Sequence, residues 1–301
     1  MRTIVVASGK GGTGKTTLTS LFARLASEQS RVVVVDADVE ASNLPIAMGV
    51  EAEKCEAFAG QSKTLIDPLV CSGCSACEHV CRFGALSFDL ETGVFVVDPA
   101  ACERCGFCAY VCPLDAVRKI DSVSGEACVG AAPTGPMAFG RMEPGEDLSG
   151  RLVSEVRRVG SAEALEAEAT IVLVDGPPGV GCPVMASIAD TDLLVAVAEP
   201  TISGEHDLAR IVELARRFDL PVRVVLNKSD LSASGAERIR EFCRLHELAL
   251  IAEIPFDPTI AQLMSPQEIW RPVAGPAIAG ATRAWNSIEA DILAIGDRGQ
   301  S

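Results

Sequence analysis

Short apolar runs recur along the chain, and segments of helical spacing separate them. The first run, Thr3 to Ala7, ends in glycines and predicts a buried strand. Lys15 to Glu28 then places Leu18, Leu21, Phe22 and Leu25 on one helical face. "RVVVVDAD", residues 31–38, predicts a second strand that ends in carboxylates. The pattern breaks after Asn43 and returns near Leu148. Beyond that point "ATIVLVDGPPG", "TDLLVAVAEPT", "PVRVVLNKSD" and "LALIAEIPFD" predict four more strands. Helical stretches such as Glu205 to Phe218 and Ala233 to Leu245 lie between them. The strands are β-branched and do not alternate, so both of their faces must be covered. The expected class is α/β, a mostly parallel doubly wound sheet. Residues 62–119 interrupt the rhythm, and the sheet pattern resumes after them. They read as a small inserted domain, with 1–61 plus 120–301 forming the sheet domain.

Composition narrows the function. At 301 residues with 48% hydrophobic positions, the chain can bury one or two cores and is not disordered. No apolar run approaches the roughly 18 residues of a membrane span. The opening "MRTIVVASGKGG" reaches glycines too soon for a signal peptide. A cytoplasmic protein with reduced thiols is expected, not a disulfide-built one. The 26 basic residues face 41 acidic ones, a net charge of −15 with no basic patch, so nucleic acid is not an expected partner. The stretch from Ala284 to Ser301 lacks the Lys/Arg-rich face of a membrane-surface helix, so no membrane partner is expected either.

"GKGGTGKTT", Gly9 to Thr17, stands between the first strand and the first helix. Glycines in such a turn let backbone N–H groups close around phosphates at the helix N-terminus. Gly11, Gly12, Thr13, Gly14, Lys15, Thr16 and Thr17 are the expected nucleotide contacts. Lys15 can reach the β- and γ-phosphates, and Thr16 can ligate Mg²⁺. Lys10 is an extra lysine that an ordinary phosphate loop does not need.

"KGGTGKTT" resembles the deviant Walker A motif of the MinD, ParA and Mrp ATPases and of the nitrogenase iron protein. The resemblance implies that Lys10 reaches across a dimer to the other subunit's nucleotide. "VVVVDADVEASNL" resembles the switch I of that group. It implies that Asp38 orients the attacking water, Asp36 supports the Mg²⁺ shell and Asn43 lies at the dimer face. "IVLVDGPPGVG" resembles Walker B and switch II, with Asp175 near Mg²⁺. Phosphoryl transfer needs a metal, a positioned water and cationic stabilisation, and these residues supply that set. "NKSD", Asn227 to Asp230, leaves the base open. In many G proteins such an Asp accepts from guanine, whereas in the MinD-like group the Asn serves adenine and the stretch near Pro255 packs beside the base. Asp230 also reads as a helix cap before "LSASGAERI".

Two runs, "VCSGCSACEHVCRFGAL" and "ACERCGFCAYVCPLDAV", share the spacing C-x₂-C-x₂-C-x₃-C. This is the spacing of bacterial two-cluster ferredoxins, in which the fourth cysteine of each run ligates the other cluster. Cys71, Cys74, Cys77 and Cys112 are then expected to hold one [4Fe–4S] cluster, and Cys81, Cys102, Cys105 and Cys108 the second. A zinc site uses four ligands per metal and has no need of triplets. Arg82 departs from the proline that often follows the fourth cysteine, and a basic group there can shift a cluster potential. His79, between cluster cysteines, reads as a surface residue. Cys55, Cys128, Cys182 and Cys243 remain. Cys182, in "GVGCPVM" just past switch II, reads mainly as a small apolar residue. The scaffold relatives of Mrp carry a C-P-x-C pair that bridges a cluster between subunits. Met185 stands in its second position here, so no bridging cluster is expected.

Nearly the whole chain thus resembles the MinD-superfamily P-loop ATPases that contain an inserted ferredoxin-like α+β domain. "GPMAFGRMEPGEDLSGRLVSEVR" and "EPTISGEHDL" add to that likeness without a chemistry of their own. It implies an ATPase that dimerises on ATP, with an identical or a related chain, and couples hydrolysis to electron transfer. Two other readings stand beside it. One is a carrier that delivers clusters or a metal cofactor to an accepting protein. The other is a redox sensor that uses nucleotide only to choose partners.

Overall fold

The first apolar run forms β1 (Arg2–Ser8) in the computed structural model, which describes residues 1–146, 148–260, 265, 268–271 and 274–298. Its last five residues are buried. The chain divides into two units, one of residues 1–56, 126–142 and 149–301, the other of 57–125 and 143–148.

The first unit holds seven strands, and one end of each of two more, of a nine-stranded sheet. Its strands are β1, β2 (Val32–Asp36), β3 (Lys54–Ile66), β6 (Val117–Ala132), β7 (Gly135–Met142), β8 (Ile171–Pro178), β9 (Leu193–Ala198), β10 (Val222–Asn227) and β11 (Ala249–Ile254). The order is β11-β10-β9-β1-β8-β2-β7-β6-β3. Every pair from β11 to β7 is parallel. The helices are α1 (Lys15–Ser27), α2 (Leu44–Met48), α5 (Ser149–Glu166), α6 (Cys182–Ile188), α7 (Ile202–Arg216), α8 (Ala233–Leu245) and α9 (Pro276–Arg298). On one sheet face Leu18, Leu21 and Phe22 of α1 and Ala281, Ala284 and Trp285 of α9 pack with Ile4, Val6, Val34, Leu173 and Val195. On the other face α5 lies against Val35. A Cβ at Gly160 would come within 2.4 Å of a Val35 methyl, so only glycine permits this approach. Both faces of the central strands are buried, which accounts for their unbroken apolar runs.

The sheet pattern resumes earlier than the sequence suggests. β7 lies beside β2, with Val34, Val35 and Asp36 paired to Met137, Ala138 and Phe139. Those three β7 residues are fully buried, but Gly135, Pro136 and Gly140 around them hide the strand signal.

The second unit contains a hairpin of β4 (Leu86–Asp89) and β5 (Val94–Val97) and two short helices, α3 (Ala76–Val80) and α4 (Phe107–Tyr110). Its bounds are wider than the 62–119 read from the sequence. β3 and β6 each pass from one unit into the other without a break in composition. Glu146 brings residues 143–148 into this unit by pairing with Lys63 at 3.2 Å and Arg104 at 3.1 Å and accepting from Ser124 at 3.1 Å.

One expectation is corrected. Cys55 and Cys128, read as reduced thiols, are joined in a disulfide. Folding brings positions 73 residues apart onto neighbouring strands, with their Cα atoms 4.0 Å apart.

Candidate functional site

The phosphate loop leaves β1 and ends where α1 begins. Gly14 precedes the helix in the left-handed region, at φ 91°. A Cβ there would also lie 2.4 Å from Asn227 Nδ2. Asn227, at the end of β10, donates from Nδ2 to the Thr13 carbonyl at 2.7 Å, and Lys228 donates to the Gly12 carbonyl at 2.8 Å. These two residues fix the loop from outside. Lys15 and Thr13 are buried, whereas Gly11 and Gly12 are exposed. The Thr13 hydroxyl is buried without a partner among the described residues. An orphaned hydroxyl in a loop of backbone donors suits an incoming phosphate.

Two carboxylates meet behind the loop. Asp36 ends β2 and Asp175 lies at the same level of β8, in register with it. They are 0% and 1% exposed. Asp36 accepts from Asp38 N–H at 3.0 Å through one oxygen, and from Ser42 at 2.9 Å and Leu44 N–H at 3.1 Å through the other. It therefore folds residues 36–44 around itself. Asp175 accepts from Thr19 Oγ1 at 3.1 Å. Burial raises the Asp36 pKa well above its ordinary value, repulsion from Asp175 adds to the rise, and the Ser42, Asp38 and Leu44 donors oppose it. Burial also lifts Asp175, to about 6, against the pull of Lys15, Thr16 and Thr19. Burial raises Asp38 as well, with Lys15 opposing. A divalent cation near Thr16 and Asp175 fits this donor set, which is all oxygen and carries surplus negative charge. Asn43 is exposed at the start of α2.

Beside the loop is a cavity of about 360 Å³. Leu18, Leu21, Asn227, Pro255, Phe256 and Ala277 are among its lining residues. Asp230 is not on that lining. Its Oδ1 accepts from Phe256 N–H at 2.6 Å, which anchors the segment after β11. It is not the helix cap either, because Ser232 takes that position and accepts from Gly235 N–H at 3.1 Å.

Lys10 is engaged by residues just past the end of β9. Its Nζ lies 3.1 Å from Glu199 Oε2 and donates to Ser203 Oγ at 3.2 Å. The other Glu199 oxygen holds Lys228. Glu199 is a buried carboxylate at the end of β9, and sequence reasoning missed it. The signal was present, because Glu199 closes a buried apolar strand as Asp36 and Asp175 nearly do. Glu199→Gln removes the charge that both lysines share. We expect a loss of about 1–3 kcal/mol, discounted for the partial exposure of the lysines, and a Tm lower by roughly 2–10 °C. Burial pulls the Glu199 carboxyl up, but Lys228 and Lys10 outweigh it and hold it below its usual value. Its contribution is full above the ordinary value of 4.5 and fades as pH falls through the depressed folded value. Unfolding curves of both proteins from neutral pH into acid check this. A stability gap that stays constant in acid rules out the charge as its source.

In the second unit the cysteines gather in two places. Cys71, Cys74, Cys77 and Cys112 line one cavity, and Cys81, Cys102, Cys105 and Cys108 line another. Each set takes three residues from one run and the fourth from the other. None of the eight is in a disulfide. The backbone repeats with the sequence. Cys102 follows Cys71 by 31 positions, and the left-handed residues Gly73, Ser75 and Gly84 recur 31 positions later as Arg104, Gly106 and Asp115. Burial raises the Cys77 and Cys108 thiols. Burial also lifts Cys112, but the backbone N–H groups of Leu114, Val117 and Ala116 outweigh it and lower its pKa. Four cysteines lining one small space, with backbone N–H groups donating to the Cys71 and Cys112 sulfurs, fit an iron–sulfur cubane in each cavity. His79 is exposed and its ring pairs with the Ser75 carbonyl. Cys182, the first residue of α6, is exposed and not the buried apolar residue expected.

Comparison with known proteins follows the same lines. Residues 4–268 match the model of the CobQ/CobB/MinD/ParA nucleotide binding domain. The chain is 32% identical to MJ0578 of Methanocaldococcus jannaschii over 87% of each chain. It is 27% identical to the carbon monoxide dehydrogenase accessory protein CooC of Rhodospirillum rubrum, over 85% of this chain and 84% of that one. The septum site-determining protein MinD of Pyrococcus horikoshii, solved with Mg-ADP, superposes with a TM-score of 0.56 at 18% identity over 95% of each chain, a likeness of fold. No helix among the described residues is long and apolar enough to cross a membrane.

Proposed function

Because the chain belongs to the CobQ/CobB/MinD/ParA nucleotide-binding family, we propose that it is an ATPase that dimerises on ATP and couples hydrolysis to electron transfer through two [4Fe–4S] clusters. The observation that carries this reading is the presence, in one chain, of a phosphate loop and two cavities each lined by four cysteines. ATP is favoured over GTP because the Asp230 carboxylate is committed to Phe256 N–H and does not face the base cavity. The dimer is formed with an identical or a related chain.

The roles are those that the family resemblance implies. Backbone donors from Gly11 to Thr17 hold the phosphates, and Lys15 offsets their charge. Thr16 and Asp175 hold Mg²⁺, with Asp36 behind them. The metal, when bound, neutralises charge on the phosphates. Asp38 orients water. Lys10 leaves Glu199 and Ser203 to meet the partner's nucleotide, which makes turnover depend on assembly. Cys71, Cys74, Cys77 and Cys112 hold one cluster, and Cys81, Cys102, Cys105 and Cys108 the other. The clusters supply one-electron chemistry to a redox partner protein.

The test is an anaerobic redox titration of the nucleotide-free, ADP-bound and ATP-analogue-bound protein, beside measured ATP turnover. A coupling of about 1–3 kcal/mol shifts a one-electron potential by about 40–130 mV. Linkage requires that cluster reduction change ATP affinity by the same factor. Equal potentials and equal affinities in all states sink the coupling and leave the ATPase alone.

A second reading is delivery of clusters to an accepting protein. The exposure of Cys74 and Cys105, one ligand in each cavity, favours it, as does the likeness to an accessory protein. Iron transfer to an apo-ferredoxin on ATP addition distinguishes it, because an electron carrier keeps its iron.

A further inference from the structure

Cys55, Glu126 and Cys128 lie outside the nucleotide site and outside both four-cysteine cavities. Cys55 is exposed on β3, the last strand of the sheet, and Cys128 is fully buried on its neighbour β6. Glu126 precedes Cys128 by two residues and so projects from the same face of β6. The ligand atoms of all three lie within 4.8 Å of one another. We propose that, when the disulfide is reduced, these three residues hold one thiophilic divalent cation, and that the disulfide is the metal-free, oxidised form of the site.

The geometry suits such an ion. Two thiolates on a tetrahedral Zn²⁺ at 2.3 Å stand about 3.8 Å apart. Neighbouring strands already place the two Cα atoms 4.0 Å apart, so side-chain rotation alone opens the sulfurs to that spacing. Cys128 is anchored in the apolar core with Leu44, Met48 and Val50, which fixes one side of the site. The exposed side at Cys55 leaves a fourth position for water or for a donor from another molecule. Two thiolates and a carboxylate carry three negative charges against two on the cation. The Arg141 guanidinium, 3.3 Å from Glu126, offsets the excess. Thiolate ligands select zinc-like ions, whereas Mg²⁺ takes an all-oxygen shell, so the site does not compete for the metal of the nucleotide.

The redox step balances through thiol–disulfide exchange with a small dithiol. Its thiolate attacks one sulfur of the pair and forms a mixed disulfide. Its second thiol then closes a cyclic disulfide and releases the cysteines. The protein gains two electrons and two protons, and the dithiol is oxidised. Metal binding then displaces both thiol protons.

The test uses the cluster-loaded protein, reduced anaerobically with a dithiol, cleared of it by gel filtration and dialysed against micromolar Zn²⁺. Zinc and iron per chain are measured together, and X-ray absorption at the zinc edge counts sulfur neighbours. We expect about one zinc per chain in the reduced wild type, with two sulfur neighbours, and none above background in the oxidised protein. The Cys55→Ser/Cys128→Ser double variant should take up none. Glu126→Gln should bind about tenfold more weakly. Iron should not change in any of them. Zinc uptake that persists in the double variant overturns the proposal, as does zinc gained while iron is lost. Wild-type protein that takes up no zinc after both thiols titrate as free also overturns it. Cys55→Ser alone, at an exposed position, provides the same test if the double variant fails to fold.

Discussion

Lys15→Ala is expected to weaken ATP binding by about 10²- to 10⁴-fold. The lysine is buried, and a lysine at this place in a phosphate loop reaches the β- and γ-phosphates. Two charge-assisted hydrogen bonds at about 1.5–3 kcal/mol each set that range. The backbone donors remain, so binding falls without vanishing. Lys10→Ala should behave differently. The Lys10 ammonium lies against Glu199 and Ser203. Binding by the monomer should stay close to that of the wild type, while ATP-driven dimerisation and turnover should fall. The turnover loss should be about 10³-fold if the lysine acts as a cation supplied in trans. Calorimetric titration with ATP and sedimentation with and without nucleotide separate the two variants. Normal ATP affinity in Lys15→Ala means the phosphates bind elsewhere. Normal assembly and turnover in Lys10→Ala remove the role across the dimer.

Cys112→Ser should damage the cluster built mainly from the other cysteine run. Cys112 lines the same cavity as Cys71, Cys74 and Cys77, not that of Cys102, Cys105 and Cys108. A hydroxyl is a poor iron ligand, so one corner iron should be lost and a [3Fe–4S] signal should appear. Iron content should fall from about eight per chain to between about seven and four. The thiol also loses its three backbone donors at Leu114, Ala116 and Val117, which tune the ligand it replaces. Cys81→Ser should mirror this in the second cavity. EPR with iron analysis reads both. Damage confined to the cluster of each cysteine's own run would falsify the crossed assignment.

The phosphate loop was legible because it is local: nine consecutive residues between a strand and a helix state their chemistry directly. The cysteine runs were legible for the same reason, and their 31-residue repeat extends to the backbone dihedrals. The base cavity was not. Leu18, Phe256 and Ala277 meet only through tertiary packing, and beyond the loop and the NKSD motif only Pro255 of the lining was expected, from the family resemblance. Asp230 was read from its motif as a base contact or a helix cap, yet its bond to Phe256 N–H is a long-range loop closure that no local pattern encodes. β7 was hidden by glycine and proline, residues that ordinarily mark turns, at positions where burial prevails over propensity. The limits of the second unit were blurred because β3 and β6 continue through them. The Cys55–Cys128 bond joins positions 73 residues apart and had no spacing to betray it.

The paired carboxylates of β2 and β8 bear on how long the protein lasts in a cell. Asp36 and Asp175 are buried side by side and repel each other. Folding the bare chain therefore works against an electrostatic cost that a ligand bringing positive charge relieves. Ligand at about a hundred times its dissociation constant adds about 2.7 kcal/mol to the folded state. That is about a hundredfold fewer unfolded molecules presented to proteases at any moment. A divalent cation bound together with nucleotide supplies that charge, so the protein is expected to resist proteolysis better with both present than with neither.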